Sequence, residues 1–548
     1  MTASPTRRAL LLGTAGAASA AALVGCGPRQ QDLEDPPLRI HANDSTTFQP
    51  NFSPYAGVPL QGANGLIYES LQLATSMRPG EPEPWLATEA TWNEDGTVLE
   101  VTLREDARFT DGEVLDADDV VFTYLMHRDV PATNTVAMDL VDAEAIDAHR
   151  VRLTFGSTSF AMQGDICGRP ILPEHLFSSV DPSSELIAEP VGSGPYMLER
   201  FSEQLYTFVR NEDHWAAEEF EPRHLAWPSF TTQTMNTALQ AGELDWSGGF
   251  VANIDRIFVD KDPERRGYWY PGAGVVNLTF NLEHELWQDR ELRRGISLAI
   301  DRKEIAEIAY MGYFGPPHPT GLPRPTYEAF IAEEYRSLEF SVDLEEAASV
   351  LDAAGYPLGP DGVRTAPDGT PLAFDVVIPS GYNDWVTMSQ ILSSQLKRIG
   401  VRLTPRGISF ENWLENRDSG RFDVTIASAG AGQNPWYLYR MMLSSEYRTE
   451  GDEPVVANFQ RWYDDETDGL LRDYAATDDP AQQQEALDAL QRIMVEQLPA
   501  IPLVIAPNWF NYNTEVWTGY PSAEDPYALG APVGTADRVM VLRRLTRA

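Results

Sequence analysis

Residues Trp85 to Leu125 read WLATEATWNEDGTVLEVTLREDARFTDGEVLDADDVVFTYL. They predict two strands and a helix. Asn93-Glu94-Asp95-Gly96 ends in an Asp-Gly pair suited to a tight turn. Beyond it Leu99, Val101 and Leu103 alternate with Val98, Glu100 and Thr102, the period of a strand with one buried face. A second turn is expected at Asp111-Gly112. Asp116 then stands where a helix start needs an acceptor, and Asp118 and Asp119 lie in the first turn, where the helix dipole favours negative charge. Val120, Val121, Tyr124 and Leu125 form the apolar stripe. Nothing in the stretch has catalytic spacing, so it reads as scaffold.

The 548 residues exceed what one hydrophobic core sustains, so two or three domains are expected. The 82 acidic residues against 41 basic ones leave a net charge of −41, which excludes a nucleic-acid partner that would need a positive surface. Lysine occurs only at Lys261, Lys303 and Lys397, a bias consistent with a GC-rich genome or a salty habitat. With two cysteines, Cys26 and Cys167, neither a disulfide framework nor a cysteine-rich metal site is available. Cys167 is expected to be a small buried side chain.

Several segments together resemble family-5 extracellular solute-binding proteins of ABC importers. They are Tyr68-Glu69-Ser70-Leu71, the Trp85–Leu125 stretch, Val191-Gly192-Ser193-Gly194-Pro195-Tyr196, Arg210-Asn211-Glu212-Asp213-His214-Trp215 and Asp289 to Arg302. The resemblance implies an α/β, bilobal, periplasmic-binding-protein-like fold of the class II, cluster C type, with an extra inserted α/β domain: three domains in two lobes. Domain I is expected at 38–65, 194–276 and 506–548, the inserted domain II at 66–193 and domain III at 277–505. The resemblance further implies extracytoplasmic capture of a ligand by hinge closure, delivery to ABC permease membrane subunits, and action as a monomer.

Met1 to Gln30 reads as an address. Arg7-Arg8 opens a short apolar run, and Leu23-Val24-Gly25-Cys26 matches a lipobox. Residues 1–25 are expected to be a cleaved signal peptide, twin-arginine or Sec, with Cys26 the lipidated membrane anchor and 26–37 the tether.

Gly192-Ser193-Gly194 is followed by Pro195 and a strand, so it lacks the helix N-terminus of a phosphate cradle. No HExxH, GxSxG, P-loop or EF-hand spacing occurs; no catalytic residue, metal or cofactor is expected, and the chain does not read as an enzyme.

For the ligand, aromatic rings beside amides suit a pyranose, which offers a C–H face to stack and hydroxyls to hydrogen-bond. Such pairs occur at Asn383 and Trp385, at Gln433, Asn434, Trp436 and Tyr437, and at Trp509 and Asn511. Asn51, Tyr68, Trp246, Phe250 and Asn253 are further lining candidates, with core packing the alternative for the lone aromatics. Peptide receptors of the family place an aspartate just before the xP step that Asn434-Pro435 represents. Here Ala431 or another uncharged residue stands there, which would leave a peptide ammonium without a counter-ion. Asn511 to Ala528 (NYNTEVWTGYPSAEDPYA) resembles the ending of the branch that binds cello-oligosaccharides. The expected ligand is a β-linked gluco-oligosaccharide, with an oligopeptide as the alternative.

Overall fold

The computed structural model describes residues 35–57, 59–449 and 453–548. The expected signal peptide, Cys26 and nearly all of the tether lie outside the described residues. From Pro37 onward the chain is one compact unit of mixed α/β structure.

The opening stretch folds as its pattern requires. Ala87–Trp92 and Val98–Leu103 pair antiparallel, and Leu99, Val101 and Leu103 are buried. Helix Ala117–Asp129 starts at Asp116, whose side chain accepts from the Asp118 N–H, while the Asp119 carboxylate accepts from the Asp116 N–H. With Arg150–Phe155 and Leu140–Asp147 the two strands form a four-stranded antiparallel sheet.

Two larger sheets organise the rest. In the seven-stranded sheet the order is Arg266–Tyr268, Asn511–Asn513, Trp246–Ser247, Leu38–His41, His224–Pro228, Leu205–Arg210, Tyr196–Ser202. The five-stranded sheet runs Arg402–Ile408, Ala373–Pro379, Val424–Gly430, Gly272–Phe280, Ile501–Pro507. The Ala373–Pro379 and Arg402–Ile408 pair is parallel, joined by helix Asn383–Lys397 as a parallel connection demands. Gly272–Phe280 and Ile501–Pro507 lie antiparallel, and each is linked by a three-residue connection, Trp269–Pro271 and Asn508–Phe510, to a strand of the seven-stranded sheet. The chain thus crosses between the two large sheets twice, side by side.

The motif residues account for one another. Glu69 Oε1 and His214 Nε2 are 2.8 Å apart with both side chains fully buried. His214 Nδ1 accepts from the Ala216 N–H (3.1 Å), so the ring proton sits on Nε2 and is donated to Glu69. Trp85 packs 4.5 Å from Trp215, and the Arg104 guanidinium lies 3.1 Å above the Trp215 ring. The two glycines of Val191–Tyr196 let this segment rest directly on the backbone before Tyr68: a Cβ at Gly192 or Gly194 would fall 2.0 Å from the Ile67 carbonyl oxygen or 2.2 Å from that of Leu66. Cys167 is buried, and burial pushes its thiol up to about 12, as suits an inert packing residue.

Candidate functional site

Four short pieces of chain meet where the four-stranded sheet faces the helices that lie between strands Val424–Gly430 and Ile501–Pro507 of the five-stranded sheet. On one side are the end of strand Ala87–Trp92 and the helical turns Phe160–Met162 and Gln163–Cys167; on the other are the start of helix Pro435–Leu443 and the end of helix Asp465–Ala475. Between them lies a cleft of about 870 Å³, lined among others by Trp92, Phe160, Gln163, Phe330, Gln433 and Tyr474. A neighbouring cavity of about 540 Å³ is lined by Asn64, Gln72, Ser76, Arg169, Gln433 and Asp537 among others.

The larger space is walled by rings and amides. Trp92 packs 5.8 Å from Phe160, edge to face, and its indole N–H donates to Gln163 Oε1 at 3.1 Å. Gln163 in turn donates to Gln72 Oε1, also at 3.1 Å. Tyr474 stacks on Trp436 at 6.1 Å, and the Trp436 indole donates to the Leu471 carbonyl. Its charged groups, Arg78, Glu81, Glu94 and Asp478, are exposed at the rim.

The smaller cavity is more polar. The Ser76 hydroxyl and Asn64 Oδ1 are buried there without a hydrogen-bond partner. The Arg169 Nε–H donates to the Asp165 carbonyl and an Nη1–H to Thr135. Asp537 accepts from the Thr75 hydroxyl (2.6 Å) and the Leu529 N–H (2.9 Å), and burial pushes its carboxyl up to about 6.

Contacts also bridge the two sides. Asn434 caps helix Pro435–Leu443 by accepting from the Tyr437 N–H, and its Nδ2–H donates across to the Ala161 carbonyl at 3.1 Å. Arg440 donates across to the Val136 carbonyl at 3.2 Å. Burial, with the Asp165 carboxylate adding to it, pushes the Tyr437 phenol up.

Of the residues singled out from the sequence, Gln433 and Asn434 line this cleft. Trp436 stands one layer behind it, and half-buried Tyr437 packs against Gly432. The others are placed elsewhere. Asn383 is exposed at the start of its helix, while Trp385 is buried against Trp413 in the core of the five-stranded sheet. Trp509 packs at the double crossing with Phe250, Tyr270 and Phe314, and buried Asn511 accepts from the Tyr270 hydroxyl and donates to Ser247 and Gly249. Trp246 is fully buried, its indole donating to the Gly530 carbonyl. Tyr68 is core beside Phe177, Asn253 is exposed at the head of a short helix, and Asn51 lines a separate cavity of about 530 Å³ beside Phe48 and Trp227. These aromatics fill cores because large rings bury the most apolar area, and proximity to an amide in sequence does not choose the face they point to.

Trp92, Phe160, Gln163 and Tyr474 carried no such expectation. Trp92 belongs to the stretch read as scaffold, and its side chain lines this cleft. The available signal was a tryptophan at the last position of an edge strand, just before the Asp-Gly turn, where its ring is only partly covered, by Phe155 and Phe160.

The sequence profile of bacterial extracellular solute-binding proteins, family 5 Middle, matches residues 81–449. The chain belongs to this family. Protein XP55 of Streptomyces lividans is 28% identical over 416 residues, 73% of this solute-binding protein and 72% of that chain. The oligopeptide ABC transporter periplasmic oligopeptide-binding protein of Thermotoga maritima superposes with a TM-score of 0.85 at 24% identity, covering 93% of this chain and 99% of that one. With mannohexaose bound, the TM-score is 0.80 at 25% identity, covering 93% and 98%. The family-5 assignment makes this a solute-binding protein of an ABC importer, extracytoplasmic like its family. Among the described residues no helix is long and apolar enough to cross a membrane.

Proposed function

We propose that this protein is the lipid-anchored receptor of an ABC importer for an oligosaccharide, with a β-linked gluco-oligosaccharide such as cellobiose or a longer cello-oligosaccharide as ligand. The observation that carries the reading is the lining of the larger cleft: half-buried Trp92 and Phe160 and buried Tyr474 supply ring surface, Gln163 and Gln433 supply neutral amides, and the formal charges stay at the rim. A neutral ligand with apolar faces and many hydroxyls needs that combination, whereas a buried ammonium needs a counter-ion. The mannohexaose held by the Thermotoga maritima protein supports a saccharide on this scaffold. The lining set proposed is therefore Trp92, Phe160, Gln163, Gln433, Asn434 and Tyr474. The domain limits proposed remain 38–65, 194–276 and 506–548 for domain I, 66–193 for domain II and 277–505 for domain III, with closure about the double crossing.

A second reading, an oligopeptide ligand, is favoured by Arg169 and Asp537 in the smaller cavity, which could meet the two ends of a zwitterion. Thermal shift with a cello-oligosaccharide series beside a series of short peptides separates the two. A ligand at 100 times its Kd adds about 2.7 kcal/mol to stability. A rise in Tm with the sugars is expected; a response to peptides alone sinks the saccharide reading.

A further inference from the structure

Two cavities lie next to one another, and one long side chain lines both. The cavities of about 870 and 540 Å³ share only Ala74 and Gln433 among the described lining residues. Gln433 sits against Gly164 so closely that a Cβ added there would fall 1.5 Å from Gln433 Oε1. The amide thus rests in a notch that only glycine leaves open. Among the described residues the Gln433 side chain makes no hydrogen bond to protein, although an amide can offer two donors and an acceptor. On the facing wall the Trp92–Gln163–Gln72 relay runs from the larger cavity, which Trp92 and Gln163 line, to the smaller, which Gln72 lines. Polar groups therefore continue from one cavity to the other past Gln433, which lines both. Ser76 and Asn64, whose Oγ and Oδ1 are buried without a hydrogen-bond partner, line the smaller cavity beyond it.

We propose that Gln433 is a movable partition that sets the length of ligand the protein accepts. Resting on the reading of this cleft as the site for an oligomer, the inference adds a specificity-determining residue to it. A short oligomer occupies the larger chamber with Gln433 seated on Gly164. A longer one enters the smaller chamber only by lifting the amide off its seat, because the side chain fills the junction. Gln433 is long and singly anchored, so it can swing aside; what it loses is its packing on the Gly164 backbone.

The test is calorimetric titration of the full chain, Gln433→Ala and Gln433→Asn with cellobiose through cellohexaose and with a matched ladder of di- to hexapeptides. Asparagine keeps the amide but is one methylene too short to reach Gly164. The partition predicts that both variants gain affinity for the longest members relative to the shortest, by about fivefold, the size of one modest polar or packing contact. Affinity lost equally at every length in Gln433→Ala and restored in Gln433→Asn would make Gln433 an ordinary contact and overturn the partition. So would unchanged length dependence in both variants. Binding of the peptide ladder alone overturns the saccharide reading, while that ladder still reads the partition. A wild-type protein that binds neither ladder overturns both.

Discussion

Asp537 carries a cost that pH reveals. Its carboxyl is buried, held by Thr75 and Leu529, and raised from the ordinary 3.8 to about 6. A folded-state value above the unfolded one means the native protein holds this proton more tightly. Its contribution is favourable below about 4 and is lost as pH rises towards about 6, above which the penalty is complete. That penalty reaches up to about 3 kcal/mol, since each pH unit separating the folded and unfolded values is worth about 1.4 kcal/mol. Asp537→Asn keeps the oxygen that accepts both hydrogen bonds and removes the charge. Its urea midpoint is expected to match wild type near pH 4 and to exceed it increasingly up to pH 6 and beyond. A variant less stable than wild type at pH 8 would show that the ionised carboxylate is instead held favourably.

Helix Pro435–Leu443 connects stability to closure through one residue. The Asn434 oxygen caps its own helix while the amide nitrogen reaches the opposite lobe at Ala161. The two roles separate chemically: aspartate can cap but cannot donate. Asn434→Ala is expected to lose about 1 kcal/mol of stability with the cap. It should also lose several-fold in ligand affinity, since the closed state gives up a hydrogen bond worth ~1 kcal/mol. Asn434→Asp should recover the melting temperature but not the affinity. Recovery of both in the aspartate variant would show that the Ala161 contact does not favour closure. The buried Arg440 bond to Val136 reinforces the same contact nearly two helical turns further on.

At the scale of the molecule, the two side-by-side, oppositely directed crossings are the proposed hinge, one with few degrees of freedom. The strands on either side are paired, and Trp509 wedges Tyr270, Phe250 and Phe314 together between them. Rotation about such a pair moves lobes as rigid bodies, as in hinge closure generally. Small-angle scattering is expected to show a smaller radius of gyration when the cello-oligosaccharide that raises Tm is present; an unchanged radius at saturation would remove closure as the response to ligand. The proposed anchor is tested separately. Cys26→Ser should release the protein from the cell membrane into the medium, and a variant that stays membrane-bound would remove the lipobox assignment.

The Trp85–Leu125 pattern determined two strands and a capped helix, because period-two alternation, Asp-Gly turns and N-cap acceptors act over a few residues. The observed caps at Asp289 and Asp343 obey the same local rules, each carboxylate accepting from a backbone N–H two or three residues on. The family motifs were legible for a related reason: they mark tight contacts between distant segments, backbone on backbone at Gly194 and Leu66 and a buried side-chain pair at Glu69 and His214, and such contacts tolerate few side chains. The proposed ligand cleft was legible only at Gln433 and Asn434. Trp385, Trp436 and Trp509 look alike in sequence, yet one fills a core, one backs the cleft wall and one wedges the hinge. Which face a ring presents depends on what packs behind it, and that is set by segments distant in the chain. Local chemistry therefore determined the scaffold, while the meeting of Trp92, Gln163, Gln433 and Tyr474 was decided by the tertiary fold that brings the two lobes together.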